Sequence, residues 1–164
     1  MPAAPIPENE AERLEALREL LILDTPPEER FDRVIQFAAE EFDAPIAVLS
    51  LVDAERNWFK SFVGLDVCEV PRDVAFCSHA ILQPEVLVVE DATLDPRFAD
   101  NPLVTGGPGL RFYAGAPLQS HGQRIGTLCV LDVVPRRFDA TDIAILRSLR
   151  TLVQDELERR TEPA

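Results

Sequence analysis

The sequence predicts an α+β fold, in which helices from both ends of the chain cover one face of a central antiparallel sheet of five to six strands. Three observations predict it. Apolar residues recur at helical spacing near both ends, short β-branched runs occupy the middle, and a tight polar turn joins the last two runs. Hairpin-linked strands followed by a terminal helix favour an antiparallel sheet over a parallel one.

A first helix is predicted over residues 8–23. Its apolar side chains fall three and four positions apart, at Ala11, Leu14, Leu17 and Leu21. Two consecutive prolines then end the helix, because proline lacks a backbone donor and restricts the residue before it.

A second helix is predicted from Thr25 to about Phe42. Thr25 is a suitable N-cap, Pro26 and Pro27 fit the first turn, and the two glutamates that follow complement the helix dipole. The apolar face of this helix consists of Phe31, Val34, Ile35, Ala38 and Phe42.

The middle of the chain contains five runs of strand character, bounded by polar turns. These predicted strands are residues 45–53, 57–63, 86–89, 110–119 and 124–132. A short helix near residues 74–82 follows the second strand, and an irregular stretch, residues 90–109, follows the third.

The closing helix is predicted to begin at Asp139, a good N-cap, with Asp142 at the third helical position. Its apolar stripe consists of Ile143, Leu146, Leu149, Val153 and Leu157.

We expect a single domain over residues 8–160, with disordered ends at residues 1–7 and 161–164. The first residues lack the basic and apolar regions of a secretory signal, and no apolar run reaches the ~20 residues of a membrane span. The net charge of −13 repels phosphate backbones and anionic lipids. We therefore expect a cytoplasmic protein without nucleic-acid or membrane partners.

Seven segments, in order along the chain, resemble one known family. They are LLILDTPPEERFDRV (20–34), PIAVLSLVD (45–53), NWFKSFVGL (57–65), PRDVAFCSHAI (71–81), VVEDATLDPRFADNPLV (88–104), RFYAGAPL (111–118) and GTLCVLD (126–132). The sequence is similar to the GAF domains found ahead of bacterial diguanylate cyclases and sensor histidine kinases.

The resemblance implies a small-molecule-sensing regulatory domain in bacterial signal transduction. Its ligand pocket is expected on the face of the sheet opposite the terminal helices, under the crossings at residues 65–85 and 90–109. A long irregular stretch inside a compact domain is itself typical of a binding loop. A histidine kinase or a diguanylate cyclase is the candidate partner, no cofactor is expected, and the ligand stays open because one scaffold serves many molecules.

Eight residues are candidates for this site: Trp58, Phe76, Cys77, His79, Asp91, Phe98, Arg111 and Tyr113. Trp58 and Tyr113, the only tryptophan and tyrosine, can line a pocket and still hydrogen-bond, although packing within the sheet explains such rings as well. Strand alternation puts Arg111, Tyr113 and Gly115 on one face, where the small residues leave room beside the large ring.

Cys77, Ser78 and His79 bring a thiol, a hydroxyl and an imidazole together at the start of the short helix. Because Cys77 and His79 are two positions apart, their side chains point apart on a helix, and a catalytic pair is disfavoured. A half-buried helix start with an inert cysteine is the favoured interpretation.

No metal site is expected, because the cysteines are spaced too widely for a structural zinc pair and the acidic residues do not have the spacing of a calcium loop. Asp91 and Arg97 can instead bond backbone groups that hold residues 90–109 in shape, with Phe98 packed onto the core.

We expect a binding domain rather than an enzyme, with one alternative. Free methionine-(R)-sulfoxide reductases, a branch of the same family, work through three cysteines, and this chain has Cys68, Cys77 and Cys129. In that branch the last cysteine precedes the penultimate strand. Cys129 instead falls inside the last predicted strand, where a cysteine is usually a small hydrophobe. No bilin is expected, because the crossing at residues 90–109, where cyanobacteriochromes attach it, has no cysteine.

A homodimer through the terminal helices is expected. Leu20, Ile22, Ile145 and Leu152 lie off the predicted stripes, and spare apolar side chains on a surface helix suggest a partner helix. The signal would then leave through dimerisation or through another chain.

Overall fold

A computed structural model of the protein describes residues 3–161, which form five α-helices and one six-stranded sheet. The helices are α1 (Glu10–Glu19), α2 (Glu29–Glu41), α3 (Cys77–Ala80), α4 (Pro102–Thr105) and α5 (Ala140–Thr161). The strands are β1 (Ile46–Val52), β2 (Arg56–Val63), β3 (Glu69–Pro71), β4 (Leu87–Val89), β5 (Phe112–Ser120) and β6 (Gln123–Asp132). Two 3₁₀ turns, Arg72–Val74 and Ala92–Leu94, precede α3 and α4.

The strands pair in the order β3-β2-β1-β6-β5-β4, and every pair is antiparallel. β1 lies between β2 and β6, and all of its residues are buried. β5 and β6 are joined at His121 and Gly122, whose φ angles of 50° and 75° fit a type I′ turn. The predicted α+β class and antiparallel sheet are confirmed, and β3 lies in the crossing at residues 65–85, where no strand was predicted.

Helices α1, α2 and α5 cover one face of the sheet. Leu17, Phe31 and Leu146 from the helices pack against sheet residues such as Leu49 and Val130, all with no exposed surface. Burial of this kind contributes roughly 1.5–3 kcal/mol for each large apolar side chain. The predicted placement of the terminal helices on one face is therefore confirmed.

The opposite face carries the segments between β2 and β5. Phe76, Ile81 and Phe98 from these segments form a second apolar cluster with Val48 and Leu131 of the sheet. The sheet thus separates two cores, because adjacent residues along a strand point to opposite faces.

The first helix is shorter than predicted, and its buried face differs. α1 ends at Glu19, and Leu21 takes a left-handed conformation with φ 52°. Leu21 is consequently 78% exposed, whereas Leu20 and Ile22 turn into the core. The assignment of Leu21 to the buried stripe, and of Leu20 and Ile22 to a spare surface, is therefore wrong.

Thr25 does not cap the second helix. Its hydroxyl donates to the carbonyl of Ile22 at 2.5 Å, and Glu28 occupies the N-cap position of α2 without a side-chain cap. The predicted end of this helix near Phe42 is confirmed.

The predicted start of the last helix is confirmed by a reciprocal cap. The Asp142 amide donates to the Asp139 carboxylate at 2.9 Å, and the Asp139 amide donates to Asp142 at 3.0 Å. Of the predicted disordered tail, residues 162–164 lie outside the described residues, and Thr161 ends α5. At the other end of the chain, residues 1–2 also lie outside the described residues. No helix within residues 3–161 combines the length and the apolarity needed to cross a membrane.

A charged cluster ties α1 to the sheet. Glu10 binds both Arg13 and Arg72, and Arg13, only 1% exposed, donates to the carbonyl of Val52 at 2.6 Å. Burial alone would raise the pKa of Glu10, but hydrogen bonds from Arg72 and Arg13 outweigh it and lower the pKa to about 2.

A second charged cluster joins the end of α5 to the connection between α1 and α2. Arg160 donates to the carbonyls of Leu20 and Leu21 and pairs with Glu28 at 2.9 Å. Lys60, the only lysine, reaches the same Glu28 at 2.7 Å from β2. The end of α5 is therefore joined to β2 and to the start of α2 through one carboxylate, and to the end of α1 through two backbone carbonyls.

Candidate functional site

A cavity of about 650 Å³ opens on the face of the sheet opposite α1, α2 and α5. Val48, Phe59 and Tyr113 from three strands form its floor, and residues from two segments, 64–67 with 69–70 and 103–110, form its walls. It lies under the two crossings, as expected from the resemblance.

The cavity lining is mostly apolar, and its charged groups are acidic. Asn57 is a buried polar group of the lining, whereas Asp66 and Glu69 are exposed. No lysine, arginine or histidine of the described chain is among the lining residues. Glu69 is already paired with Arg56 at 3.1 Å, so the lining favours an uncharged molecule over an anion.

Two cysteines meet in the cavity wall. The Sγ atoms of Cys77 on α3 and Cys129 on β6 are 3.9 Å apart. The Thr127 hydroxyl donates to Cys77 Sγ at 3.0 Å, and the Tyr113 hydroxyl donates to it at 3.3 Å. We refer to Cys77 and Cys129 as the dithiol site.

These contacts give the two thiols opposite acidities. Hydrogen bonds from Cys129, Thr127 and Tyr113 outweigh burial and lower the pKa of Cys77 below its ordinary value. The contact with Cys77, followed by burial, raises the pKa of Cys129 well above its ordinary value. Cys77 is therefore the sulfur that ionises first, while Cys129 keeps its proton and donates it.

Tyr113 reaches the dithiol site because position 115 has no side chain. A Cβ atom on Gly115 would lie 2.2 Å from the Tyr113 hydroxyl oxygen. The ring is completely buried and packs against Phe76, with a distance of 5.4 Å between ring centroids. As the alternation predicts, Tyr113 and Gly115 share a face of β5.

A buried polar chain runs beside the dithiol site. The Ser50 hydroxyl donates to the Asn57 side chain at 3.2 Å, and the Asn57 amide donates to Ser78 at 3.2 Å. The Ser78 hydroxyl in turn donates to the carbonyl of Arg72 at 2.6 Å. Each polar side chain in this wall thus has a partner, which fixes the position of α3 against β1 and β2.

Three of the eight predicted site residues, Phe76, Cys77 and Tyr113, line the cavity. Trp58 does not, because alternation along β2 turns it to the helix-covered face, where it is 6% exposed in the other core. Its neighbour Phe59 faces the cavity instead. The prediction that Trp58 lines the pocket is corrected accordingly.

His79 and Phe98 lie behind the cavity wall. Phe98 stacks on Phe76 with ring centroids 4.2 Å apart, and His79 packs edge-on against Phe98 at 4.8 Å. Burial, together with the charge of Arg97, lowers the pKa of His79, while Asp95 acts in the opposite direction. Arg97 itself pairs with the Asp95 carboxylate, not with backbone as expected.

Asp91 and Arg111 hold the irregular stretch in shape and do not line the cavity. Asp91 accepts a hydrogen bond from the Thr93 amide at 3.0 Å, as expected, and Arg111 donates to the carbonyl of Val104 at 2.9 Å. Among the described residues, no group of three histidine, cysteine or acidic side chains is placed to hold a metal ion.

Asn57, Thr127 and the pairing of Cys129 with Cys77 belong to the site but were not predicted from the sequence. Cys129 was interpreted as a small hydrophobe, although the alternation applied to β5 would also have placed Thr127 and Cys129 on one face of β6. Nothing in one sequence indicates that α3 brings Cys77 to that face.

The class of protein follows from a family comparison. Residues 26–156 match the GAF domain family, and the chain belongs to that family.

One curated protein is a relative with substantial sequence identity. A cyclic di-GMP phosphodiesterase of Pseudomonas aeruginosa is 43% identical to this chain over 155 residues. The match covers 93% of this chain but only 26% of that protein, so the chain spans about a quarter of the relative's length.

Solved structures share the fold at low identity. The free methionine-R-sulfoxide reductase of Neisseria meningitidis is 22% identical with a TM-score of 0.64, and 98% of each chain is covered. The GAF domain of an Acinetobacter phosphoenolpyruvate-protein phosphotransferase is 18% identical with a TM-score of 0.63, covering 90% of this chain and 94% of the other. A domain of a two-component sensor histidine kinase protein from Sinorhizobium meliloti is 18% identical with a TM-score of 0.61, covering 80% and 90%.

The expectation that the chain is not an enzyme is contradicted. Free methionine-R-sulfoxide reductases are among the structures with this fold, and the relative at 43% identity is named as a phosphodiesterase. The fold therefore does not separate binding domains from enzymes.

Proposed function

We propose that the chain is a small-molecule-sensing regulatory domain of bacterial signal transduction, and that its ligand occupies the cavity. The cavity carries this proposal, since its volume of about 650 Å³ falls in the range of roughly 300–1,000 Å³ typical of ligand sites. The expected ligand is mainly apolar and uncharged, because Glu69 is already paired with Arg56 and none of the described cationic side chains lines the cavity. A cyclic dinucleotide, with two phosphates, suits such a lining poorly.

A route from the cavity to the terminal helices supports a regulatory role. Along β5, Tyr113 faces the cavity, while its neighbours Phe112 and Ala114 pack in the core with α5. A ligand that shifts β5 therefore changes the surface on which α5 rests. The output we propose is a signalling enzyme such as a phosphodiesterase, a diguanylate cyclase or a histidine kinase, in line with the names of the relatives.

Blocking the cavity tests the proposed ligand site. Val70 is half-buried in the lining, so the indole of Val70→Trp is expected to fill part of the cavity without unfolding the domain. Binding of the neutral dye Nile red should weaken about tenfold or more, a loss of roughly 1.4 kcal/mol, as measured by fluorescence titration. Native mass spectrometry of freshly purified protein should reveal a retained small molecule in the unaltered chain.

Val134→Trp is the matched control, because Val134 is 54% exposed and lies outside the cavity lining. Equal dye binding by both variants would contradict the assignment of the ligand site.

A chimaera tests the regulatory role. In the Pseudomonas phosphodiesterase, the matching segment is replaced by this chain, and hydrolysis of cyclic di-GMP is measured. We expect Val70→Trp to change the rate while Val134→Trp leaves it unchanged. If both variants behave as the unaltered chimaera, the cavity has no regulatory role in that setting.

Thiol-dependent reduction is the second candidate function, favoured by the contact between Cys77 and Cys129. Incubation with free methionine-R-sulfoxide and dithiothreitol, followed by methionine analysis, separates the two functions. Turnover that is abolished by Cys77→Ser would favour the reductase.

A further inference from the structure

The dithiol site is built for sulfur chemistry between its own two members. Cys77 and Cys129 both line the cavity, and their sulfur atoms are already 3.9 Å apart. A disulfide requires about 2.05 Å, so rotation of the side chains with a small shift of α3 has to close a gap of roughly 2 Å. α3 is a single turn within a loop crossing, which makes such a shift far easier than one between two sheet strands.

The hydrogen bonds assign different roles to the two sulfurs. Cys77 accepts from Thr127 and Tyr113, and both donors stabilise a negative charge on it. The single proton of the Cys129 thiol has two alternative acceptors, Cys77 Sγ at 3.9 Å and the carbonyl of Val48 at 3.7 Å, and both favour the protonated form of Cys129. Cys77 is thus the attacking sulfur, and Cys129 is the sulfur that resolves its oxidised product.

We propose that Cys77 and Cys129 are a hydroperoxide-reactive pair that forms a reversible intramolecular disulfide in the cavity wall. This site is additional to the proposed sensing role and does not depend on it.

Disulfide formation takes place in two steps. The Cys77 thiolate attacks the terminal oxygen of a hydroperoxide, the O–O bond breaks, and a sulfenic acid forms. The alkoxide, or hydroxide when the oxidant is hydrogen peroxide, takes the proton that Cys77 released on ionising. The Cys129 sulfur then displaces the sulfenic hydroxyl, which leaves as water with the Cys129 proton. Two thiols are oxidised to one disulfide, and the peroxide is reduced to an alcohol, or water, plus a water molecule.

The third cysteine is excluded by its position. Cys68 is exposed in the segment between β2 and β3, and it is absent from the cavity lining. It therefore serves as an internal control with an accessible thiol that lacks a buried partner.

Peptide mapping of the unaltered chain tests the proposal. The protein is treated with hydrogen peroxide, denatured in N-ethylmaleimide and digested without reductant. We expect a peptide linking Cys77 to Cys129, alkylated Cys68, and full reversal by dithiothreitol. Survival of all three thiols, or a disulfide that includes Cys68, would overturn the proposal.

Single variants test the two roles. Cys129→Ser should leave a sulfenic acid on Cys77 that dimedone traps, and Cys77→Ser should slow oxidation of Cys129 at least about tenfold. Cys68→Ser should form the disulfide at the unaltered rate. Equal oxidation of Cys129 with and without Cys77 would refute the assigned roles, and the mapping of the unaltered chain decides the matter even if a variant does not fold.

Discussion

At the scale of single residues, one missing side chain sets the chemistry of the cavity wall. Gly115 leaves the space into which the Tyr113 hydroxyl extends, and that hydroxyl is one of the donors that lower the pKa of Cys77. Because the Tyr113 ring is fully buried, it has little freedom to retreat from a new methyl group.

Gly115→Ala is therefore expected to displace Tyr113. Overpacking of this kind destabilises by about 1–3 kcal/mol, and thermal melting should show it. Loss of the hydroxyl contact should also raise the pKa of Cys77 above its value in the unaltered chain. Alkylation by iodoacetamide should then reach its maximum rate at a higher pH than in the unaltered chain.

Tyr113→Phe is the companion variant, since it removes the hydroxyl and keeps the ring. The same shift of the alkylation profile is expected with a smaller change in melting temperature. An unchanged profile in both variants would mean that Tyr113 does not act on Cys77.

At the scale of elements, α1 is held by charged contacts in addition to apolar packing. Glu10 binds Arg13 and Arg72, so the helix is fixed to the segment that follows β3. The pKa of Glu10 is lowered from 4.5 to about 2 on folding. A lowered pKa means that the stabilisation is complete above about pH 4.5 and is lost as the pH falls towards 2.

Glu10→Gln should remove this pH-dependent contribution. We expect a loss of about 1–2 kcal/mol at neutral pH, with allowance for solvent screening of the partly exposed carboxylate. Chemical denaturation should show the two chains converging in stability as the pH falls from 4.5 to about 2.

Glu12→Gln, an exposed position on the same helix, makes the same change in charge and should have little effect. A difference between Glu10→Gln and the unaltered chain that stays constant with pH would contradict the argument.

Helices and strands could be predicted from the sequence where neighbouring residues alone determine them. β1, β5, β6 and the Asp139 cap were predicted because alternation and capping are properties of neighbouring residues. The end of α1 was not, since the left-handed conformation of Leu21 is imposed by burial of the residues beside it. The predictions for Trp58 and Cys129 were wrong for a related reason. Which face of a strand lines the cavity depends on how segments distant in the sequence pack.

At the scale of the whole molecule, the proposed homodimer keeps only one of its four predicted contact residues, Leu152, because Ile145 also packs against the helix-side core. Leu20 and Ile22 are buried within one chain and cannot contact a partner. Leu152 on α5 is 52% exposed and Phe37 on α2 is 51% exposed, and both belong to the helix layer. Exposed apolar side chains on this layer favour association through it.

Leu152→Asp should convert a dimer into a monomer, as measured by light scattering at micromolar concentration. Leu94→Asp is the control, because Leu94 is 81% exposed in the 3₁₀ turn that follows β4. A monomer for the unaltered chain would rule the dimer out.

The strand order also determines the order in which the strands can pair as the chain is synthesised. β1 and β2 can pair early as a hairpin, and so can β5 and β6, because each pair is adjacent in the chain. The contact between Cys129 and Val48 joins residues 81 positions apart, and it closes the centre of the sheet. Such non-local pairing slows folding, since the ends of a long loop have to meet before any contact rewards them. We therefore expect Cys129 to reach Cys77 only after β6 has paired with β1. Formation of the dithiol site would then report that the sheet is completely folded.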